Sequence, residues 1–258
     1  MTFKQVLLAG EITLDELMSW GSTQGFGWIE LRDFDLDFTV ECLREAKAAA
    51  DRAGLRVHYA WDGACAGDLD PARFFRGIRN AALFGPGTCA RVVLAPEAVE
   101  RANGAYPKRE LDRLGSRLEE YMGAAADHGI TLVFENSAET IAGFEALLDR
   151  VPGLNVALDT ANCFAAAAAA GAPLSWSELK GFVRRRSGQI PYVHLKSSIA
   201  GTVQPELLDH GDFPLGELLP LLPENVWRCV ELPADGDLQS CVARVARGLG
   251  ALRRARSS

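Results

Sequence analysis

Residues 131–159 read TLVFENSAETIAGFEALLDRVPGLNVALD and contain two short apolar runs, TLVFE and NVALD, each closing on a carboxylate, Glu135 and Asp159. The 24 positions from the first acid to the second are about one strand–helix unit. Two runs of the same design follow. YVHLK carries His194, 35 positions beyond Asp159, and WRCVE ends on Glu231, 37 positions beyond His194. Metal-type ligands at strand ends, separated each time by one crossover, converge at one mouth of a (β/α)8 barrel, where the active site lies at the C-terminal ends of the strands.

Outward from this stretch, apolar β-branched runs alternate with longer segments of helical period, the pattern of a parallel sheet wrapped by helices. Eight strands are expected, near residues 5–9 (QVLLA), 28–32 (WIELR), 56–60 (RVHYA), 90–94 (ARVVL), 131–135, 155–159, 192–196 and 227–231. Thr13 followed by Glu16 predicts a capping box. Asp37 is expected to open a second helix that stops at Gly54, and a third helix near 108–128 ends before Gly129. The alanine run 165–170, closed by Gly171, reads as a packed helix. The segment 197–215 is a long loop on the expected active-site face.

Length agrees with this reading: 258 residues match the roughly 250 of one such barrel, so the expectation is a single domain over 1–258. A net charge of -7 gives no global field that would draw the chain to nucleic acid or to anionic membranes. The six cysteines, Cys42, Cys65, Cys89, Cys163, Cys229 and Cys241, show no C-x-x-C spacing and read as reduced thiols. The N-terminus has no basic-then-apolar signal pattern, and no apolar run approaches a membrane span, so a cytoplasmic protein is expected.

Three carboxylates and one imidazole form an oxygen-rich set suited to one divalent ion: Mn²⁺ first, with Mg²⁺, Co²⁺ or Zn²⁺ also compatible. An ion held on adjacent hydroxyl and carbonyl oxygens of a sugar polarises the carbonyl and stabilises an enediolate. Glu135 and Glu231, on different strands, are placed to flank the substrate as an acid/base pair.

The segments GWIELRDF, LVFENS, VALDTANCF, YVHLKSS, HGDFPLGELLP and CVELP, spanning 27–233 in this order, resemble the xylose isomerase-like TIM barrel superfamily, specifically its sugar isomerase/epimerase branch. The resemblance implies a metal tetrad of Glu135, Asp159, His194 and Glu231, with Glu135 and Glu231 as catalytic residues. Three positions depart from the family pattern. Asn162 stands where many epimerases have a histidine, Ala200 where tagatose-epimerase relatives often have an arginine, and Lys196-Ser197 replaces Lys-Asp.

The expected function is therefore a metal-dependent sugar or polyol isomerase/epimerase acting on a small carbohydrate-like substrate, with a homo-oligomer left open. Alternatives are a dehydratase similar to dehydroshikimate dehydratase, an apurinic endonuclease-like enzyme and a non-catalytic ligand-binding barrel. The endonuclease site needs many histidines, and this chain has four. Lys196, two positions beyond His194 and sharing its direction, is the expected substrate cation, opposed by a reading as a structural salt bridge. Asn162, Glu30 and His58 are further substrate-contact candidates. For Glu30 the rival is an ion pair with Arg32, and for His58 a hydrogen-bonded core histidine. His210 and Asp212 are expected to shape the loop around Gly211.

Overall fold

A computed structural model of the protein describes residues 3, 6–7, 9–34, 38–61, 71–93, 104–203, 208, 211–231 and 236–257. Asp37, Cys65, Leu94 and His210 lie outside these residues. Helix α1 (Leu14–Thr23) opens on the expected capping box: Glu16 N–H donates to Thr13 Oγ1 at 3.2 Å, and Thr13 N–H donates to Glu16 Oε2 at 2.8 Å. Then come β1 (Trp28–Asp33), α2 (Val40–Ala53), β2 (Arg56–Trp61), α3 (Pro71–Ala82), β3 (Cys89–Val93), α4 (Lys108–Asp127), β4 (Thr131–Glu135), α5 (Ile141–Arg150) and β5 (Val156–Asp159). The second half adds α6 (Thr160–Ala169), α7 (Trp176–Arg186), β6 (Tyr192–Leu195), the hairpin β7 (Ser198–Ile199) and β8 (Thr202–Val203), α8 (Leu215–Leu218), β9 (Trp227–Val230) and α9 (Leu238–Ser257).

Seven strands form one parallel sheet in the order β1-β2-β3-β4-β5-β6-β9, and helices cover its outer face, giving an α/β TIM barrel. Strand alternation divides the side chains. Tyr59, Phe134, Leu158, Val193 and Leu195 point outward and pack with Leu43, Leu118, Leu147 and Phe182 of the helices. Val133, Ala157, Tyr192 and Cys89 point inward and fill the barrel together with Trp28, Trp227 and Cys229. Parallel register brings Asp159 beside His194, and His194 beside Cys229.

The expected first strand at 5–9 is not found among the described residues, and this is a correction. Val6 and Leu7 are helical, with Leu7 N–H donating to Phe3 O at 3.0 Å. A five-residue apolar run has no periodicity that separates strand from buried helix, and here Val6 is buried without joining the sheet. At the mouth, β1 and β9 are linked instead by side chains: Arg32 Nη1 donates to Glu231 Oε1 at 2.6 Å. The second helix also begins later than expected, at Val40, because Thr39 rather than Asp37 caps it by accepting from Cys42 N–H. Gly54 ends that helix at φ 69°, as expected, and the alanine run lies in α6.

Candidate metal centre

Glu135 ends β4, Asp159 ends β5, His194 lies within β6 and Glu231 follows β9 directly, so four strand ends deliver four side chains to one mouth. All four are buried. One ligand atom from each lies within 4.8 Å of all the others. The atoms that converge can be identified from the contacts of each group. His194 Nδ1 lies 2.8 Å from Glu135 Oε1, 3.0 Å from Glu231 Oε2 and 4.0 Å from Asp159 Oδ2.

Each carboxylate has its other oxygen anchored elsewhere. Glu135 Oε2 accepts from Arg91, Glu231 Oε1 accepts from Arg32, and Asp159 Oδ1 caps α6 by accepting from Asn162 N–H at 2.9 Å. That leaves Glu135 Oε1, Asp159 Oδ2, Glu231 Oε2 and His194 Nδ1 directed at one point. Asp159 Oδ2 and Glu231 Oε2 are buried and meet charged side chains. Their partner is Lys196 Nζ, at 2.8 and 2.9 Å, with His194 Nδ1 a further 3.0 Å contact of Glu231 Oε2. Three carboxylate oxygens and one imidazole nitrogen converging in a buried site fit a hard divalent cation.

Beneath this set lies a layer that orients it. Glu30 accepts from Arg91 Nε at 3.0 Å, Arg91 Nη2 at 3.2 Å and Tyr192 Oη at 2.6 Å, and its Oε2 is 3.0 Å from His194 Nε2. Arg32 Nε adds an ion pair at 3.1 Å. Nε2 faces Glu30 and Nδ1 faces the cluster; with a divalent ion bound, a proton kept on Nε2 for Glu30 would leave Nδ1 free to hold the ion. Glu30, His194 and Cys229 also bring ligand-type atoms together, but Glu30 is already surrounded by two arginines, a tyrosine and the imidazole.

The electrostatics follow from this packing. Burial pushes the carboxyl of Glu135 up, but Arg91 and His194 outweigh it and hold the group low. Glu231 is likewise held well below the usual carboxylate range, by His194, Arg32 and Lys196 against burial. Asp159, the most enclosed, is pushed up to about 6 by burial and by Glu135 and Glu231, against the pull of Lys196. His194 is drawn well above 6.5, because Glu30, Glu135 and Glu231 outweigh the cost of burying its charge. Four carboxylates (Glu30, Glu135, Asp159, Glu231) therefore face four cationic groups (Arg32, Arg91, Lys196, His194).

The other sequence candidates are distributed as follows. Lys196 stands in the cluster. Asn162, on the first turn of α6, donates its side-chain amide to Asn136 O at 3.0 Å. Glu30 lies under His194 within the ion-pair layer. His58 is not brought to the tetrad: its Nδ1 accepts from Cys89 N–H at 2.9 Å, and its ring lies 4.4 Å from Trp28 and 4.5 Å from Trp227 among the inward aromatics. Asp212 braces the hairpin after β6, accepting from Ser198 Oγ and from the N–H groups of Ala200 and Gly201 at 2.8 to 2.9 Å.

Two residues escaped the sequence reading. Arg91, buried at 2% exposure, pairs with both Glu135 and Glu30. The signal was present, since it is the one charge in the apolar run ARVVL. Asn136 accepts from Asp159 N–H at 2.7 Å and donates back to Asp159 O at 3.0 Å, fixing the backbone that carries this candidate ligand.

Fold and site together define an α/β barrel with a candidate divalent-metal centre at the C-terminal ends of its strands. The chain belongs to the xylose isomerase-like TIM barrel family, whose model matches residues 19–254. No curated protein matches it. Among solved structures it is similar to a xylose isomerase domain protein from Planctomyces limnophilus (15% identity, 91% of this chain and 90% of that one, TM-score 0.69). A D-psicose 3-epimerase from Clostridium cellulolyticum H10, solved with D-tagatose, is 13% identical over 95% of this chain and 94% of its own, with the same TM-score. An L-ribulose 3-epimerase is 15% identical over 100% and 92%, with a TM-score of 0.61.

Proposed function

We propose that the protein is a divalent-metal-dependent sugar or polyol isomerase/epimerase that works by proton transfer, with Mn²⁺ as its ion. The observation that carries this reading is the convergence of Glu135 Oε1, Asp159 Oδ2, His194 Nδ1 and Glu231 Oε2 in a buried site. Structural likeness to 3-epimerases of ketoses supports the substrate class. When bound, a divalent cation supplies polarisation of a sugar carbonyl and offsets the negative charge of the enediolate.

The chain's own residues do the rest. Glu135 and Glu231 lie on strands well separated around the barrel, so two carboxylates serve one carbon from different sides: one takes the proton and the other returns one. Arg91 and Arg32 hold the second oxygen of each and fix the direction of the first. This restraint keeps a proton donor and acceptor within reach of the substrate without rearrangement. Lys196 and Asn162 are assigned to substrate oxygens, and Glu30 to orienting His194.

The test is a screen of ketoses, aldoses and inosose-like ketones with Mn²⁺-loaded protein in D₂O, following isomer formation and mass together. An isomer carrying solvent deuterium at the carbon beside the carbonyl is expected. A product formed without label rejects proton transfer in favour of a hydride shift, and loss of water assigns a dehydratase instead.

A further inference from the structure

The three fixed cations of the cluster do not stand in equivalent places. Arg91 and Arg32 reach the outward oxygens, Glu135 Oε2 and Glu231 Oε1, and their side chains are 2% and 8% exposed. Neither touches an oxygen on the convergent side. Lys196 does: its Nζ lies 2.8 Å from Asp159 Oδ2 and 2.9 Å from Glu231 Oε2, two buried oxygens on the convergent side. It is also the most accessible of the three, at 15% exposure, and sits on a flexible stem of four carbons. A compact ammonium on two convergent carboxylate oxygens occupies the position that a divalent ion bound to those same oxygens would need.

We infer that Lys196 is a displaceable internal counter-ion: its ammonium neutralises Asp159 and Glu231 in the metal-free protein and must leave both oxygens for a divalent cation to bind. This rests on the reading of the tetrad as a metal centre. Mutual exclusion at shared ligands makes occupancy by Lys196 and by the ion a negative coupling, reciprocal by linkage. Without the ammonium, the metal-free state loses a partner for two buried carboxylates, while the loaded state loses little. Removing the lysine should therefore tighten metal binding, the reverse of what a ligand or a ligand-supporting residue does on removal.

The experiment is a Mn²⁺ titration of metal-free wild type, Lys196→Met, Lys196→Gln and Lys196→Arg, with thermal unfolding of each protein before and after loading. Lys196→Met and Lys196→Gln should bind Mn²⁺ more tightly than wild type by about tenfold or more, the factor equivalent to roughly 1.4 kcal/mol. Their metal-free forms should melt lower, so that Mn²⁺ raises their Tm further than it raises that of wild type. Lys196→Arg keeps the charge and should bind no more tightly than wild type. If a neutral variant folds only when loaded, its rate of Mn²⁺ release to a chelator replaces the titration and should be slower than wild type. Equal or weaker binding, or equal or faster release, in both neutral variants overturns the inference while wild-type binding leaves the metal centre intact. Failure of wild type to bind Mn²⁺ rejects the metal centre, and the inference with it.

Discussion

Arg91 is the residue on which the geometry of the centre most depends. It reaches Glu135 on one side and Glu30 on the other from a buried position on β3. Removing it leaves two buried carboxylates short of a partner, so Arg91→Met should lower the stability of the metal-free protein by about 3–5 kcal/mol in denaturant unfolding. A loss under 1 kcal/mol would show that the carboxylates find other partners. Among the proposed ligands, Asp159→Ala removes a charged donor that nothing adjacent replaces, and Mn²⁺ occupancy measured after dialysis should fall sharply; full occupancy would refute the assignment of Asp159. Glu231→Gln keeps an oxygen but loses the basic form, so turnover should drop by roughly 10²–10⁴ at verified full Mn²⁺ loading. The convergence of the four proposed ligands was legible from sequence because each is a polar side chain in or at the end of an apolar strand, a pattern that burial alone does not favour. Arg91 carried the same signal within ARVVL. Its partner Glu30 could be seen only as a pair with Arg32, since a contact from Arg91 to Glu30 spans 61 positions and depends on sheet order.

At the level of elements, close packing of helices on the sheet sets how accurately the strand ends are held. Gly77 of α3 lies against the indole of Trp61 on β2, and a Cβ there would overlap the ring. Trp61 has little freedom to yield, with Tyr59 at 5.8 Å and Phe74 at 5.3 Å between ring centres. Gly77→Ala should cost about 1–3 kcal/mol by overpacking. Gly123→Ala, in α4 with open space around it, should be neutral or stabilising by up to about 1 kcal/mol. Thermal melts of the two variants check this, and equal effects would mean that helix propensity rather than packing governs both sites. Elements with their own local chemistry were readable in advance: the Thr13–Glu16 box, Gly54 at φ 69° and the alanine helix all rest on neighbours within a few positions. The run at 5–9 was not, because its length fits strand and helix equally. In the hairpin after β6 the shaping role of Asp212 was legible. The reason lies in Gly211, whose φ of 148° and close approach to Ser198 O leave no room for a side chain.

Across the whole molecule, charge burial couples stability to pH, and buried groups of the barrel interior do so with both signs. His58, buried among Trp28, Tyr192 and Trp227, is held down to about 4 by burial and by Arg56, with Glu30 opposing. Its folded value lies below the unfolded 6.5, so between these limits the unfolded chain binds more protons. Its contribution is fully present above pH 6.5, is lost as pH falls through the window, and levels off below about 4, a total of about 3 kcal/mol. At the mouth the signs are mixed: Asp159 and His194 are raised, so their contribution falls as pH rises, whereas Glu30, Glu135 and Glu231 are lowered and their contribution is lost as pH falls below 4.5. The net profile of wild type therefore mixes both, and the contribution of His58 has to be read as a difference. His58→Phe keeps an aromatic ring among aromatics but removes the titration. It also strips Cys89 N–H of its acceptor, a cost of about 1–3 kcal/mol that does not vary with pH. Unfolding free energies of wild type minus His58→Phe, measured from pH 4 to 7.5, should rise with pH up to about 6.5 and then stay constant. A flat difference would show that His58 titrates as freely in the folded barrel as in the unfolded chain, and that water reaches the inward aromatic cluster.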